Sequence, residues 1–142
     1  MGAAGYFETM NATDAYNVLT NPAFTQYLDQ IDLGGANSAT NLNNMIKALE
    51  YIKQGNAIRK SLGLTEWKVS DTMMAIAMAN ADFGVTYGGH SQQFSPAENV
   101  NQGTDPYKAW YTTEKTAFDA AVASGNYPGL AGMNAYQVAG FV

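Results

Sequence analysis

The chain has 142 residues, a net charge of −5 and no cysteine, and a chain of that length buries roughly two thirds of its unfolded surface without metals or disulfides. Seven Lys and Arg stand against twelve Asp and Glu; they are scattered rather than clustered, which makes a phosphate backbone a poor partner, and the missing cysteines exclude disulfides and thiolate metal sites. Charged residues make up 13%, about half the usual share, and Asn, Gln, Thr, Tyr and Gly supply the polarity instead, a composition common on exported proteins.

The first ten residues, "MGAAGYFETM", lack a basic stretch followed by an apolar run, so no signal peptide is expected there. No apolar run approaches the roughly 18 residues that cross a bilayer, so no transmembrane segment is expected. Residues 1–39 read as a helical extension: "TDAYNVLT" from Thr13 and "PAFTQYLDQI" from Pro22 are short amphipathic helices, followed by the loop "DLGGANSAT". From Asn41, Leu42, Met45, Ile46, Leu49 and Ile52 recur at helical spacing. Gly63 stands just past a cationic last turn, predicting a helix over about 41–62. "LTEWKV" is an extended connector. Ser70 or Asp71 then caps a helix, "DTMMAIAMANADF", ended by Gly84. Residues 84–104 form a polar loop with a brief strand at Glu98–Val100. Asp105 caps and Pro106 opens a further helix that runs to Gly125, and the tail "NAYQVAGFV" alternates as a strand.

In that last helix Tyr107, Trp110, Tyr111, Phe118, Ala121 and Val122 define an apolar stripe, and Glu114 falls within it, four residues from both Trp110 and Phe118. A carboxylate placed there must find a partner. One reading has Glu114 accepting from a neighbouring loop's amides or pairing with Arg59 or Lys68. The other joins it to Glu98 and to His90, the chain's single histidine, as a site for a divalent cation or for acid/base chemistry. No phosphate-binding glycine fingerprint, G-x-S-x-G or H-E-x-x-H pattern is present.

The run "NMIKALEYIKQGNAIRKSLGLTEWKVSDTMMAIAMANADF", then His90, then "AENV", then "DPYKAWYTTEK", resembles the CAP superfamily of cysteine-rich secretory, antigen 5 and pathogenesis-related proteins, above all the cysteine-free domains of Gram-positive secreted and surface proteins. The resemblance implies an α+β fold, a three-layer α-β-α sandwich over residues 40–142. It also implies a cleft holding two His and two Glu that in several members binds zinc. By position, His90 matches the loop histidine, Glu98 the E-N-[VI] glutamate and Glu114 the W-x-x-x-E glutamate. The second histidine has no counterpart. Either "SGNYPG" takes its place, with Asn126 as the substitute, or residues from "VASGNYPG" onward are an insertion that precedes the motif. Asn is a poorer zinc ligand than imidazole, so a zinc site would be weakened or absent, while His90 with two carboxylates could still hold a divalent cation, zinc or the harder calcium or magnesium.

Three functions are expected from the resemblance and the residues together. The first is an extracellular or cell wall-associated binding module for a small molecule, lipid or cell-surface ligand, with His90, Glu98, Glu114 and Asn126 in its cleft. In the second, Glu98 or Glu114 is the general base of a metal-assisted hydrolase, activating a cation-bound water near His90. The third is a structural spacer.

Overall fold

The computed structural model describes residues 2–24, 28, 32–90, 101, 103 and 105–133. Contacts divide the chain into two compact units, Met1–Val100 and Asn101–Val142.

Among the described residues the first unit contains the helices α1 (Ala3–Thr9), α2 (Thr13–Thr20), α3 (Leu42–Ser61) and α4 (Asp71–Tyr87). Asn11, at φ 56°, turns the chain between α1 and α2, a left-handed conformation that Asn tolerates better than most residues. Helix α1 is too short to hold itself together by propensity. Its inward residues Ala3 and Phe7 are buried, and the Ala3 amide donates to Thr40 O across 2.7 Å, so tertiary contacts hold it. The core collects Ala3 and Phe7 from α1, Ala15, Val18 and Leu19 from α2, Met45 from α3, and Met74, Ala75, Met78 and Ala79 from α4. Leu42, Ala48, Leu49 and Ile52 of α3 cover its edge, while Ile46 points to solvent.

The expected helix ends are realised by local chemistry. The Asn41 side chain accepts from Asn43 N at 2.9 Å. At the other end of α3, Gly63 (φ 72°) donates to Lys60 O and Leu64 to Arg59 O, the paired bonds of a left-handed glycine terminus. Ser70 caps α4, accepting from Met73 N. Helix α4 runs past Gly84 and stops at Gly88, whose φ of 74° and ψ of 153° suit glycine almost alone. Gly84 serves instead to admit the returning chain: a Cβ there would stand 3.3 Å from Gly89 O.

The second unit holds a helix that Asp105 opens, accepting from Lys108 N at 2.9 Å. Over Lys108–Thr113 it is a π-helix, and it continues as α5, Glu114–Ser124. Gly125 ends it in the left-handed conformation, and a single 3-10 turn, Pro128–Leu130, follows.

The expected CAP-type α-β-α sandwich is overturned. Among the described residues there is no strand and no sheet; the only strand-like pairing there is an isolated antiparallel bridge between Gly2 and Asn41. The inner face of α4 packs on α2, in a cluster that residues of α1 and α3 complete, where a sandwich would set a sheet. The motif order that suggested the CAP family was carried by helical segments, and helices of that spacing pack equally well on other helices. The two expected strands, Glu98–Val100 and residues 134–142, lie outside the described residues, as does most of the helix expected from Pro22, of which Pro22–Phe24 form a turn.

Candidate functional site

The four residues singled out from the sequence fall as follows. His90 is exposed, three residues beyond the end of α4. Glu98 lies outside the described residues. Glu114 is exposed where the π-helix passes into α5, in the middle of the continuous helix that Asp105 opens. Asn126 is exposed after Gly125, its amide donating to Ser124 Oγ at 3.2 Å. The π-helix over 108–113 explains Glu114. Its wider turn changes the angular step between residues, so a stripe counted at α-helical spacing from Tyr107 and Trp110 no longer passes through 114. Tyr107 and Trp110 still meet edge to face at 5.9 Å. Among the described residues no group of three or more His, Asp or Glu side chains is placed to hold a metal ion.

A carboxylate does lie on an apolar helix face, and it is Asp82. The inner stripe of α4 runs Met74, Met78, Asp82 at four-residue spacing beside Ala75 and Ala79, and Asp82 is only 6% exposed. Its two oxygens close on the loop before α3. Ser38 Oγ donates to Asp82 Oδ2 at 2.5 Å, and Ala39 N donates to Oδ1 at 2.6 Å. Since the Ser38 proton is committed to Asp82, Thr40 is the donor in the 2.6 Å contact between the two hydroxyls. Thr40 Oγ1 in turn accepts from Gly34 N at 2.6 Å. The result is one directed chain, Gly34 to Thr40 to Ser38 to Asp82, and among the described residues no buried side-chain polar atom is left without a partner. Burial pushes the Asp82 carboxyl above the ordinary aspartate value, with a smaller push from Asp32, while the bonds from Ser38 and Ala39 pull the other way. Buried and accepting from both Ser38 and Ala39, this carboxylate fixes the loop to α4.

Two surface features remain. The connector over residues 64–70 is strapped along α3. Asn56 accepts from Trp67 N at 2.7 Å and donates to Trp67 O at 3.0 Å. Arg59 Nε donates to Thr65 O at 2.6 Å, and the Arg59 guanidinium stands 5.1 Å from the centre of the Trp67 ring. Helix α4, apolar on its inner side, is apolar on its outer side too: Met73, Ala77, Ala81 and Val85 follow one another at four-residue spacing and are all exposed, Val85 by 84%. Among the described residues no helix is long and apolar enough to cross a membrane.

No family model, no curated protein and no solved structure matches this chain.

Proposed function

We propose that the chain acts by binding, as a helical interaction module whose contact surface is the outer stripe of α4. The observation that carries this is the Met73, Ala77, Ala81, Val85 row. A helix largely apolar on both its inner and its outer face is ordinarily enclosed, and this one leaves a strip about 18 Å long exposed. The small residues at its middle allow close approach and the larger ones at its ends provide edges, which suits the apolar face of a partner helix laid along it. The low charge of the chain and its neutral-polar composition support a setting outside the cell.

The test starts from the full chain used as bait and from one partner protein purified from what it retains. The affinity of that partner is then measured by calorimetry for the wild type and for Ala81→Arg. Because Ala81 is exposed, the variant should fold as the wild type does and bind at least about tenfold more weakly. Equal affinity in the two proteins would sink the reading.

A further inference from the structure

We infer that the connector Thr65–Val69 is an unpaired β-edge built to pair antiparallel with the same segment of a second copy of this chain. This surface is separate from the outer stripe of α4, and its argument does not depend on that stripe.

The hydrogen bonds fix which way the connector's backbone faces. A single Asn56 amide reaches both N–H and C=O of Trp67, which requires the two groups to point the same way, as they do in extended backbone. Thr65 O turns to the same side, toward Arg59. In an extended segment the groups of successive residues point to opposite sides. Thr65 and Trp67 therefore face α3, and Glu66 and Lys68 present their N–H and C=O away from it. Residues 65 to 70 are all exposed, and Ser70 continues the extended geometry at φ −118° and ψ 132°. Asn56 thus plays the part of one neighbouring strand, and among the described residues no bond is made to the opposite edge. Such an edge is a template for another chain.

The sequence of the segment identifies the occupant. In a two-fold antiparallel pairing centred on Trp67, Glu66 and Lys68 form the hydrogen-bonded pairs, each opposite the other in the second copy. The register that uses the outward-facing groups is also the one that sets Glu66 against Lys68 twice, opposite charges directly across the ribbon. Glu66 and Lys68 project from one face of the strand, and Thr65, Trp67 and Val69 from the other. Trp67 meets its own copy in the close, non-hydrogen-bonded position, with Thr65 and Val69 on either side. The exposures of Trp67 (38%) and Val69 (49%) are what such a pairing would reduce. A two-fold contact of this kind closes on itself and makes a dimer rather than a fibre. A five-residue ribbon with one aromatic pair is small, so the dimer is weak.

Sedimentation equilibrium of the full chain at concentrations up to about 1 mM reads the association directly. The wild type should show a monomer–dimer equilibrium. Lys68→Glu alone sets carboxylate against carboxylate twice and should weaken dimerisation by about tenfold or more. The double exchange Glu66→Lys with Lys68→Glu restores both pairs in the same register and should recover it to within about threefold. Lys68→Pro removes an outward N–H that no bond among the described residues uses, and favours the extended form that Trp67 already has. It should abolish dimerisation while leaving the helical circular dichroism unchanged. A wild type that stays monomeric at the highest concentration overturns the proposal, as does a double exchange that associates no better than Lys68→Glu.

Discussion

Ser38 and Asp82 are 44 residues apart in the chain, and a 2.5 Å hydrogen bond joins them in the interior. This bond and the neighbouring one from Ala39 decide where the loop before α3 sits. Replacing Asp82 by Ala would leave the Ser38 hydroxyl and the Ala39 amide as buried donors without acceptors. The expected loss is about 2–4 kcal/mol in urea denaturation. Asp82→Asn keeps an acceptor for Ala39 and should lose less than half as much.

The pH dependence of the same group has a definite sign. Because burial raises the Asp82 pKa above 3.8, the folded chain holds this proton more tightly than the unfolded one does. Its contribution to stability is fully present below the ordinary aspartate value and is lost as pH rises through the raised folded value. The stability of the wild type minus that of Asp82→Asn, measured across this window, should therefore fall with rising pH. A difference that climbed instead would mean that the bonds from Ser38 and Ala39 outweigh desolvation.

The connector depends on Asn56 in a way that can be read at one amide. Asn56→Ala removes both bonds to Trp67, with an expected cost of about 1–2 kcal/mol. Hydrogen exchange at the Trp67 amide should accelerate well beyond what that global loss explains. Exchange that rises only in step with global stability would show that the Arg59 contacts hold the connector alone.

Two helix-ending glycines should respond differently to the same substitution. Gly125, at φ 68° and ψ 0°, is in the left-handed region that Asn also visits. Gly88, at φ 74° and ψ 153°, is in a region nearly closed to any side chain. Gly125→Asn should cost less than about 1 kcal/mol and Gly88→Asn about 1–3 kcal/mol in thermal or urea unfolding.

Glu114→Gln should change stability by no more than about 0.5 kcal/mol, as for an ordinary exposed position. A loss of several kcal/mol would show that Glu114 has a buried partner after all.

Much of the helical framework was legible in the residues. Gly63, Ser70, Asp105 and Gly125 act through local bonds that depend on their immediate neighbours, so their positions as caps and stops could be read directly. Helix α1 could not be read this way, because "AAGYFET" is short and carries a glycine; burial of Ala3 and Phe7 makes it helical. The rule that a carboxylate on an apolar stripe needs partners was sound. Applied at Glu114 it failed, since the π-helix before it rotates the face. The spacing Met74, Met78, Asp82 carries the same signal in a regular α-helix, and there the partners are present. What covers the inner face of α4 was not legible at all. An apolar stripe specifies that something must bury it, and a sheet or a set of helices satisfies that demand equally.

The cluster that encloses Phe7 and Leu19 takes Met74, Met78 and Ala79 from α4, so the earliest part of the chain is sealed by a much later one. A ribosome delivers residues in order. Phe7, Val18 and Leu19 therefore emerge long before the surface that shields them exists, and in that interval they are open to chaperones or to neighbouring nascent chains. The same long-range closure that fixes the folded interior thus sets the period of greatest vulnerability during synthesis.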